Sequence, residues 1–283
     1  MVRTVLHIGA HKTATTYMQK KLAINVDALG ARGIQYYPLE VLRKNFSGIL
    51  QDVDKADPAF VEELKRKMKT GDVLLSEENI AGMPGDLVRN GVYYAHTKKR
   101  LKRLREIIDV DAPEIFMAFR DYASFTVSMY CEYLRHREFM RFSDYFELYK
   151  ESKFSWINVV GDIVAASPRS KVRLWDFGKL RSIENQVFSA MIGQDASFLA
   201  TPEGPMRESF SETAIRAFES LSGLLNHREL KSLIGPIARA VPRGDEHKAF
   251  NPLSEQTVAE LKEQYRRDLQ TITERFPTVE FIG

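Results

Sequence analysis

The sequence contains a single cysteine, Cys131, among its 283 residues. One cysteine excludes an internal disulfide framework and a cysteine-rich metal site, and it is typical of a reducing compartment. Long apolar runs are also missing, since no stretch approaches the roughly 18 apolar residues that a membrane-spanning helix needs. The apolar run Val5-Leu6-His7-Ile8 is too short for the core of a signal peptide. We therefore expect a cytoplasmic protein without a transmembrane segment.

Neither sign of charge is in large excess. The 41 lysines and arginines against 38 aspartates and glutamates give a net charge of +3, which is too small to suggest a protein that coats nucleic acid. Apolar residues make up 44% and charged residues 28% of the chain, and these values are close to globular averages, which excludes disorder. We expect no nucleic-acid partner, and the length fits one α/β domain over residues 1–283.

Short apolar runs alternate with helical patterns along the chain. The runs predict strands at Thr4–Gly9, Asp72–Glu78, Pro113–Arg120 and Lys171–Phe177, and leave Val279-Glu280-Phe281 open as a fifth. Helices are predicted near 15–29, 55–69, 94–108, 123–135, 182–193, 211–225 and 254–276. Strands that alternate with helices predict an α/β fold of three layers, with a mostly parallel central sheet, a P-loop-like turn and a helical C-terminal part.

The most informative segment is the turn Gly9–Thr16 between the first strand and the first helix. Backbone N–H groups at a helix N-terminus attract phosphate oxygens, and Lys12 adds a full positive charge. The alternative is an ordinary threonine N-cap beside a surface lysine. The turn is too tight for a Walker A loop, because only two residues separate Gly9 from Lys12. It predicts an anion site formed by Gly9, His11, Lys12, Thr13, Ala14, Thr15 and Thr16.

The run Lys12-Thr13-Ala14-Thr15-Thr16 resembles a loop of the sulfotransferase superfamily. That loop commonly reads Lys-Thr-Gly-Thr-Thr or Lys-Ser-Gly-Thr-Thr, and it binds the 5′-phosphosulfate of 3′-phosphoadenosine 5′-phosphosulfate (PAPS). His7-Ile8-Gly9 and Gln19 are similar to residues that flank the loop in bacterial members. Ala14 replaces the family's glycine, at a position that we expect to be entering the helix already.

A second resemblance lies at Arg120 and at Ser128, eight residues later. In the superfamily such a pair holds the 3′-phosphate of the cofactor, and an arginine is suited to this because its donors form a fork. Tyr122 stands in place of the usual proline. By itself, an arginine after a strand is more often a surface charge or part of an ion pair. Arg243-Gly244 matches only a fragment of the Arg-Lys-Gly loop of animal members, and the prediction does not rely on it.

The resemblance implies an enzyme that transfers a sulfuryl group from PAPS to a hydroxyl or amine and releases PAP without a metal. Lys12 would stabilise the bridging oxygen, and a base would take the acceptor proton. Glu78 is the first choice for the base, with Glu77, His11 and His136 as alternatives. The acceptor is expected to be a small molecule or glycan, with carbohydrates and lipid-linked sugars suggested by bacterial relatives.

The sequence leaves open the role of two basic runs, and it leaves two rival functions. The runs Lys98–Arg105 and Arg135–Arg141 are either solvated surfaces or a groove for an acidic acceptor. The first rival is an ATP-dependent kinase with an unusual phosphate loop, which would need Mg²⁺. The second is a non-catalytic nucleotide-binding protein that keeps the fold. Preference for PAP over ADP would separate the sulfotransferase from the kinase, and turnover would separate it from the non-catalytic protein.

Overall fold

The structure is a computed structural model that describes residues 2–51, 57–203 and 209–283. Its strands are β1 (Thr4–His7), β2 (Ile34–Tyr36), β3 (Asp72–Ser76), β4 (Glu114–Phe119), β5 (Val172–Asp176) and β6 (Val279–Phe281). They form one parallel sheet in the order β2-β3-β1-β4-β5-β6. Within the described ranges, no helix is both long and apolar enough to cross a bilayer.

Helices cover both faces of this sheet, so the predicted α/β architecture of three layers is confirmed. They are α1 (Thr15–Ile24), α2 (Val26–Gly30), α3 (Leu39–Gln51), α4 (Pro58–Thr70), α5 (Asp86–Asn90), α6 (Thr97–Ile108), α7 (Tyr122–His136), α8 (Phe142–Ser152), α9 (Trp156–Ala166), α10 (Leu180–Ile192), α11 (Glu212–Ser222), α12 (His227–Ala240) and α13 (Glu255–Arg275).

Alternation along the strands builds the two cores. In β1, Val5 belongs to the apolar cluster formed with α1, α2 and α10, whereas Leu6 belongs to the cluster formed with α4, α6, α7 and α9. Successive side chains of a strand point to opposite faces, so each strand contributes to both layers. The central strands β1, β3 and β4 are buried along most of their length, as expected for a parallel sheet covered on both sides.

Several boundaries differ from the sequence prediction. The helix predicted over 15–29 is two helices, because Asn25 interrupts it and exchanges side-chain hydrogen bonds with the backbone of Ala200 (2.9 and 3.0 Å). The strand predicted over 72–78 ends at Ser76, and a 3₁₀ turn occupies Glu78–Ile80. Helix α4 begins at Pro58, and the first two residues of the helix predicted over 55–69 lie outside the described residues.

The sheet topology brings the carboxyl ends of three strands together at one edge of the sheet. Strand β1 pairs with both β3 and β4, so the carboxyl ends of these three strands lie side by side. The connection after β1 runs through α1 on one face, whereas α6 and α7 pack on the other face. Ligands in open α/β sheets bind at such a point, where the order of the strands reverses between β1 and β4.

Candidate active site

The turn between β1 and α1 is fixed to the neighbouring strand by backbone hydrogen bonds. The N–H of Ala10 donates to the carbonyl of Ala118 (3.2 Å), and the N–H of Ala118 donates to the carbonyl of Gly9 (2.7 Å). The hydroxyl of Thr13 donates to the carbonyl of Ala10 (2.7 Å) and closes the turn from within. The loop is therefore a rigid extension of the β1–β4 pair.

Two residues of this turn, Lys12 and Ala14, have left-handed backbone conformations, with φ of 62° and 63°. Ala14 is the N-cap of α1 and precedes its first residue, Thr15. The expectation that Ala14 already enters the helix is therefore wrong. A left-handed residue is where glycine is favoured, because a Cβ atom there crowds the following carbonyl oxygen.

Gly9 also has a positive φ, of 108°, and a Cβ atom there would lie 3.1 Å from the Cβ of Glu78. The lack of a side chain at Gly9 thus lets the turn pass close to the end of β3, where Glu78 follows the strand.

A cleft of about 820 Å³ opens at this edge of the sheet. Eight of the predicted site residues line it: His11, Lys12, Ala14, Thr15, Thr16, Glu78, Arg120 and Ser128. Gly9 and Thr13 do not line it, and they support the loop from beneath through the contacts described above. The cleft is also lined by residues that the sequence prediction did not include: Tyr17, Glu132, Phe177, Gly178, Leu180, Arg181, Glu184, Ser209 and Arg243.

Lys12 forms an ion pair inside the cleft. Its Nζ donates to Oε2 of Glu132 (3.0 Å), and both side chains are largely buried. His136, one turn further along α7, approaches the other carboxylate oxygen of Glu132 (3.1 Å). Sequence analysis missed Glu132, although it lies four residues after Ser128 and so shares a face of α7 with it.

Arg120 links the end of β4 to the loop. Its Nη1 donates to the carbonyl of Lys12 (2.7 Å), and its Nε donates to the hydroxyl of Ser124 (2.9 Å). Burial lowers the pKa of Arg120, and the nearby positive charge of Arg243 lowers it further, although Asp121 acts in the opposite direction. Ser128 lies on α7, the helix that also carries Ser124, and it is 3% exposed.

Arg243 reaches the cleft from the segment between α12 and α13. Within the described ranges, neither Arg243 nor Arg120 has a carboxylate within ion-pair distance, so two cations face the same cleft without acidic partners. Only a fragment of a family motif pointed to Arg243 in the sequence. The three cations Lys12, Arg120 and Arg243, with the hydroxyl of Ser128, fit a ligand that carries more than one anionic group.

Glu78 lines the cleft and is held by two side-chain hydrogen bonds. Its carboxylate accepts hydrogen bonds from Nε2 of Gln19 (2.7 Å) and Nη2 of Arg43 (3.1 Å). Burial alone would raise the pKa of Glu78, but His11, its backbone hydrogen bond, Arg43 and Gln19 together hold that pKa below the usual value. The side chain is therefore an anionic carboxylate near neutral pH, which is the form that accepts a proton.

Glu77 has different surroundings from its neighbour. It is 4% exposed and forms a two-point ion pair with Arg43, with N–O distances of 2.8 and 2.9 Å. One of its oxygens also accepts the N–H of Asn79 (3.0 Å) and caps the 3₁₀ turn. Both carboxylate oxygens are therefore used by the fold, and Glu77 does not line the cleft.

The histidines near the site occupy three different settings. His11 lines the cleft, where its backbone N–H donates to the hydroxyl of Tyr94 (3.0 Å) and its ring Nε2 lies 3.1 Å from Oδ1 of Asn79. His136 is more exposed and approaches Glu132 from outside the cleft lining. His7 is buried in β1 against Ser76 (2.7 Å), as the alternation of the strand predicted for a structural histidine.

Comparison with known proteins gives a structural likeness but no match of sequence. The sequence matches no protein-family model and no curated protein. A solved sulfotransferase from Alicyclobacillus acidocaldarius is similar in structure, with a TM-score of 0.46 and 14% sequence identity over 84% of this chain and 94% of that chain. A likeness at this level does not indicate a function for this chain.

Proposed function

We propose that the protein is a sulfotransferase that moves a sulfuryl group from PAPS to a hydroxyl or amine of a small molecule or glycan, with carbohydrates and lipid-linked sugars as the first acceptors to test. One observation carries the proposal: Lys12, Glu78 and Arg120, from three separate segments, line one cleft beside the N-terminus of α1. Such a cleft brings together a turn that suits a phosphate group, two cationic side chains and an ionised carboxylate.

The residues divide into two ends of a donor site. Lys12, Thr15 and Thr16 surround the N-terminus of α1, where backbone N–H groups suit the 5′-phosphosulfate. Arg120 and Arg243, with the hydroxyl of Ser128, suit the 3′-phosphate, because their cations lack carboxylate partners within the described ranges. A nucleotide without a 3′-phosphate leaves those cations unpaired.

The transfer requires a bond change that these residues can assist. An acceptor oxygen or nitrogen forms a bond to sulfur as the bond between sulfur and the 5′-phosphate oxygen breaks, and that oxygen keeps the electron pair in PAP. Glu78 takes the acceptor proton, and Lys12 stabilises the charge that grows on the leaving phosphate oxygen. Nothing in this assignment requires a metal ion, so we expect turnover in the presence of EDTA.

Donor binding is the direct test. Isothermal titration with PAP and ADP should give a PAP affinity at least tenfold higher, and a screen with ³⁵S-labelled PAPS should then label an acceptor. Equal affinity for PAP and ADP, together with a requirement for Mg²⁺, would favour an ATP-dependent kinase. Tight PAP binding without transfer to any acceptor class would favour a non-catalytic nucleotide-binding protein.

A further inference from the structure

A buried glutamine on α1 is bonded to the proposed base. Nε2 of Gln19 donates to Oε2 of Glu78 (2.7 Å) and lies 3.4 Å from the carbonyl oxygen of Ser76, the last residue of β3. Because both neighbours accept hydrogen bonds, the NH₂ group of the amide, and not its oxygen, must face them. Gln19 is 5% exposed and does not line the cleft, so it acts on a bound ligand through Glu78 rather than by contact.

The side chain of Gln19 is ordered before any ligand binds. Gln19 lies in the middle of α1, where its neighbour Met18 is fully buried in the core. Its carbonyl accepts a long hydrogen bond from the hydroxyl of Tyr36 on β2 (3.4 Å). An amide fixed in this way loses no further conformational entropy when the acceptor arrives, and it can hold Glu78 in one orientation.

The two oxygens of Glu78 are held unequally. Oε2 accepts from Gln19, whereas Oε1 accepts from Nη2 of Arg43 at the longer distance of 3.1 Å. The side chain of Arg43 is 43% exposed, and its two shorter bonds, of 2.8 and 2.9 Å, go to Glu77. Water competes for an exposed ion pair, so the contact at Oε1 is the weaker of the two.

Protonation of Glu78 therefore has a preferred oxygen. A proton on Oε2 would compete with the N–H of Gln19, and within the described residues the only other acceptor for that amide is the carbonyl of Ser76 at 3.4 Å. A buried donor that loses its acceptor destabilises the structure. A proton on Oε1 disturbs the contact with Arg43, which keeps both of its bonds to Glu77. The geometry thus favours Oε1 as the basic atom.

Helix α1 also relates the base to the donor end of the cleft. Thr15, the first residue of α1, lines the cleft, and Gln19 lies four residues later on the same face of the helix. Four residues correspond to a rise of about 6 Å. The helix whose N-terminus is proposed to receive the 5′-phosphosulfate therefore also carries the amide that holds the base, and one turn of α1 sets their separation.

We propose that Gln19 is a positioning residue, which holds Oε2 of Glu78 so that Oε1 faces the acceptor and takes its proton. The inference rests on the proposed function, because it requires Glu78 to be the base of that reaction. The O–H or N–H bond of the acceptor breaks, its proton moves to Oε1, and its electron pair stays on the acceptor atom that bonds to sulfur. The bond between sulfur and the 5′-phosphate oxygen breaks as this bond forms, and the hydrogen bond from Gln19 to Oε2 remains.

Several other titratable groups lie near the carboxyl of Glu78. They are Glu77, His11, Arg43, His7, Tyr36 and Tyr94. Burial raises the pKa of both tyrosines and lowers that of His7 to about 4, so these three do not titrate near neutral pH. Burial also acts to raise the pKa of Glu78, but His11, a backbone hydrogen bond, Arg43 and Gln19 outweigh it and lower that pKa. Because a histidine changes charge near neutral pH, the carboxyl of Glu78 has to be titrated directly.

The first test measures the pKa of Glu78 without turnover. The protein is labelled with carboxyl-¹³C-glutamate, and the NMR signal of Glu78 is identified by its loss in Glu78→Gln. Gln19→Met keeps the length of the side chain and removes the donor, so the pKa of Glu78 should rise by about half a unit to one unit. The matched control is Asn25→Leu, which removes a buried amide that bonds to the carbonyls of Lys21 and Ala200. It should leave the pKa of Glu78 unchanged.

The second test is the pH dependence of kcat with the acceptor found in the screen. In Gln19→Met, kcat should fall by about 10- to 100-fold, because Glu78 is no longer held in one orientation, and the acid limb should move to higher pH with the pKa of Glu78. PAP affinity should stay at the wild-type value, which also shows that the variant is folded. Asn25→Leu should keep the wild-type kcat and acid limb, even where urea unfolding shows a lower stability.

Gln19→Glu gives a further kinetic signature. Its carboxyl can donate to Oε2 of Glu78 while it is protonated, but it repels Glu78 once both groups are ionised. In this variant kcat should therefore rise with pH and then fall as the second proton leaves, at a pH where the wild type keeps its activity.

A wild-type pKa of Glu78 together with a wild-type kcat profile in both Gln19 variants would overturn the inference. An equal loss of kcat in Gln19→Met and Asn25→Leu, with unmoved acid limbs, would also overturn it, since the role of the amide would then be structural. Arg43→Lys keeps a cation for Glu77 and removes the fork that reaches Glu78. A larger loss of kcat in Arg43→Lys than in Gln19→Met would exchange the roles of the two oxygens and overturn the assignment of Oε1.

The NMR titration separates this inference from the proposed function. If Gln19→Met raised the pKa of Glu78 in a protein that transferred no sulfuryl group, the hydrogen bond would stand and the sulfotransferase proposal would fall. Sulfuryl transfer at the wild-type rate by both Gln19 variants would leave the proposed function standing and overturn the role of Gln19.

Discussion

The ammonium group of Lys12 lies 3.0 Å from the carboxylate of Glu132 inside the candidate donor cleft. This places a negative charge where the proposed ligand is itself anionic. An approaching donor must therefore compete with Glu132 for Lys12 and also overcome repulsion from the carboxylate. We infer that Glu132 positions the loop lysine in the free protein and weakens binding of the nucleotide.

Replacing Glu132 should make this competition measurable. We expect Glu132→Gln to bind PAP about tenfold more tightly, because Lys12 becomes available and a repulsive charge is lost. The change should also lower the free energy of unfolding, since a buried cation loses its partner. Calorimetry with PAP measures the first effect and urea unfolding the second. The control is Glu138→Gln, at an exposed position outside the cleft. Unchanged or weaker PAP binding in Glu132→Gln would contradict the competition.

Arg120 and Arg243 should account for the preference for PAP over ADP. Loss of a charge-assisted hydrogen bond costs about 1.5–3 kcal/mol, so Arg120→Ala should weaken PAP binding by about 10- to 100-fold. Arg243→Ala should have a smaller effect, because this side chain is more exposed. ADP affinity should change little in either variant. The control is Arg141→Ala, which removes an exposed arginine paired with Glu219.

Arg120 also holds the carbonyl of Lys12 (2.7 Å), so its removal could disturb the loop itself. A fall in ADP affinity as large as the fall in PAP affinity would indicate that disturbance, and it would contradict recognition of the 3′-phosphate.

The two neighbouring glutamates should behave differently. Glu78→Gln keeps the shape of a cleft side chain and removes its basicity, so kcat should fall by about 10²–10⁴ with PAP affinity unchanged. Glu77→Gln should keep most of the turnover and lower the free energy of unfolding by about 1–2 kcal/mol, because the pairing with Arg43 is weakened. Turnover is measured by the transfer of label to the acceptor found in the screen, and the free energy of unfolding is measured with urea. An inactive Glu77→Gln beside an active Glu78→Gln would reverse the assignment, and two active variants would redirect the search to His11 and His136.

The central part of the fold could be predicted from the sequence because its strands are buried on both faces. Strands β1, β3, β4 and β5 read as apolar runs, and each was predicted to within about two residues at either end. The edge strands β2 and β6 have three residues each, and such short segments carry no clear period. The sequence left Val279-Glu280-Phe281 open as a strand, and β6 occupies these residues. Helix α12 was missed for a related reason, since Gly235-Pro236 interrupts its pattern, although Asn226 and Glu229 form a capping box at its start.

The candidate site was predictable where local motifs mark it and not where distant segments meet. Lys12 and Arg120 follow strands that the sheet brings together, and the sequence indicated both. Glu132 and Arg243 reach the cleft through the packing of α7 and of the segment after α12, and the only signals for them in the sequence are the spacing of Glu132 from Ser128 and a motif fragment at Arg243. The pairing of Glu77 with Arg43 likewise depends on how α3 lies against the end of β3.

The left-handed Ala14 gives a prediction about stability. Its φ of 63° is disfavoured for a residue with a Cβ atom by about 1–2 kcal/mol, whereas glycine adopts it freely. Ala14→Gly should therefore raise the free energy of unfolding by up to about 1 kcal/mol, since glycine also gains freedom in the unfolded chain. The control is Ala190→Gly within α10, which should lower it by about 1 kcal/mol. Urea unfolding checks both, and a destabilised Ala14→Gly would contradict the strain.

His7 should make the fold sensitive to acid. It is fully buried, with Nδ1 at 2.7 Å from the hydroxyl of Ser76 and its ring stacked 5.8 Å from that of Trp175. Burial lowers the pKa of His7 to about 4, against the smaller opposing effect of Glu78. The unfolded chain therefore binds a proton below about pH 6.5 that the folded protein does not bind until about pH 4.

Stability should consequently fall as the pH is lowered through this window. The difference between the two pKa values corresponds to about 3 kcal/mol, lost progressively from about pH 6.5 to pH 4 and fully retained at pH 7. Urea unfolding at intervals across that range measures the loss. His7→Asn should be less stable at pH 7, because a buried contact is removed, but its stability should decline less steeply with acid. His227→Asn, at an exposed position, should keep the wild-type slope. Parallel slopes for His7→Asn and the wild type would show that other groups cause the acid sensitivity.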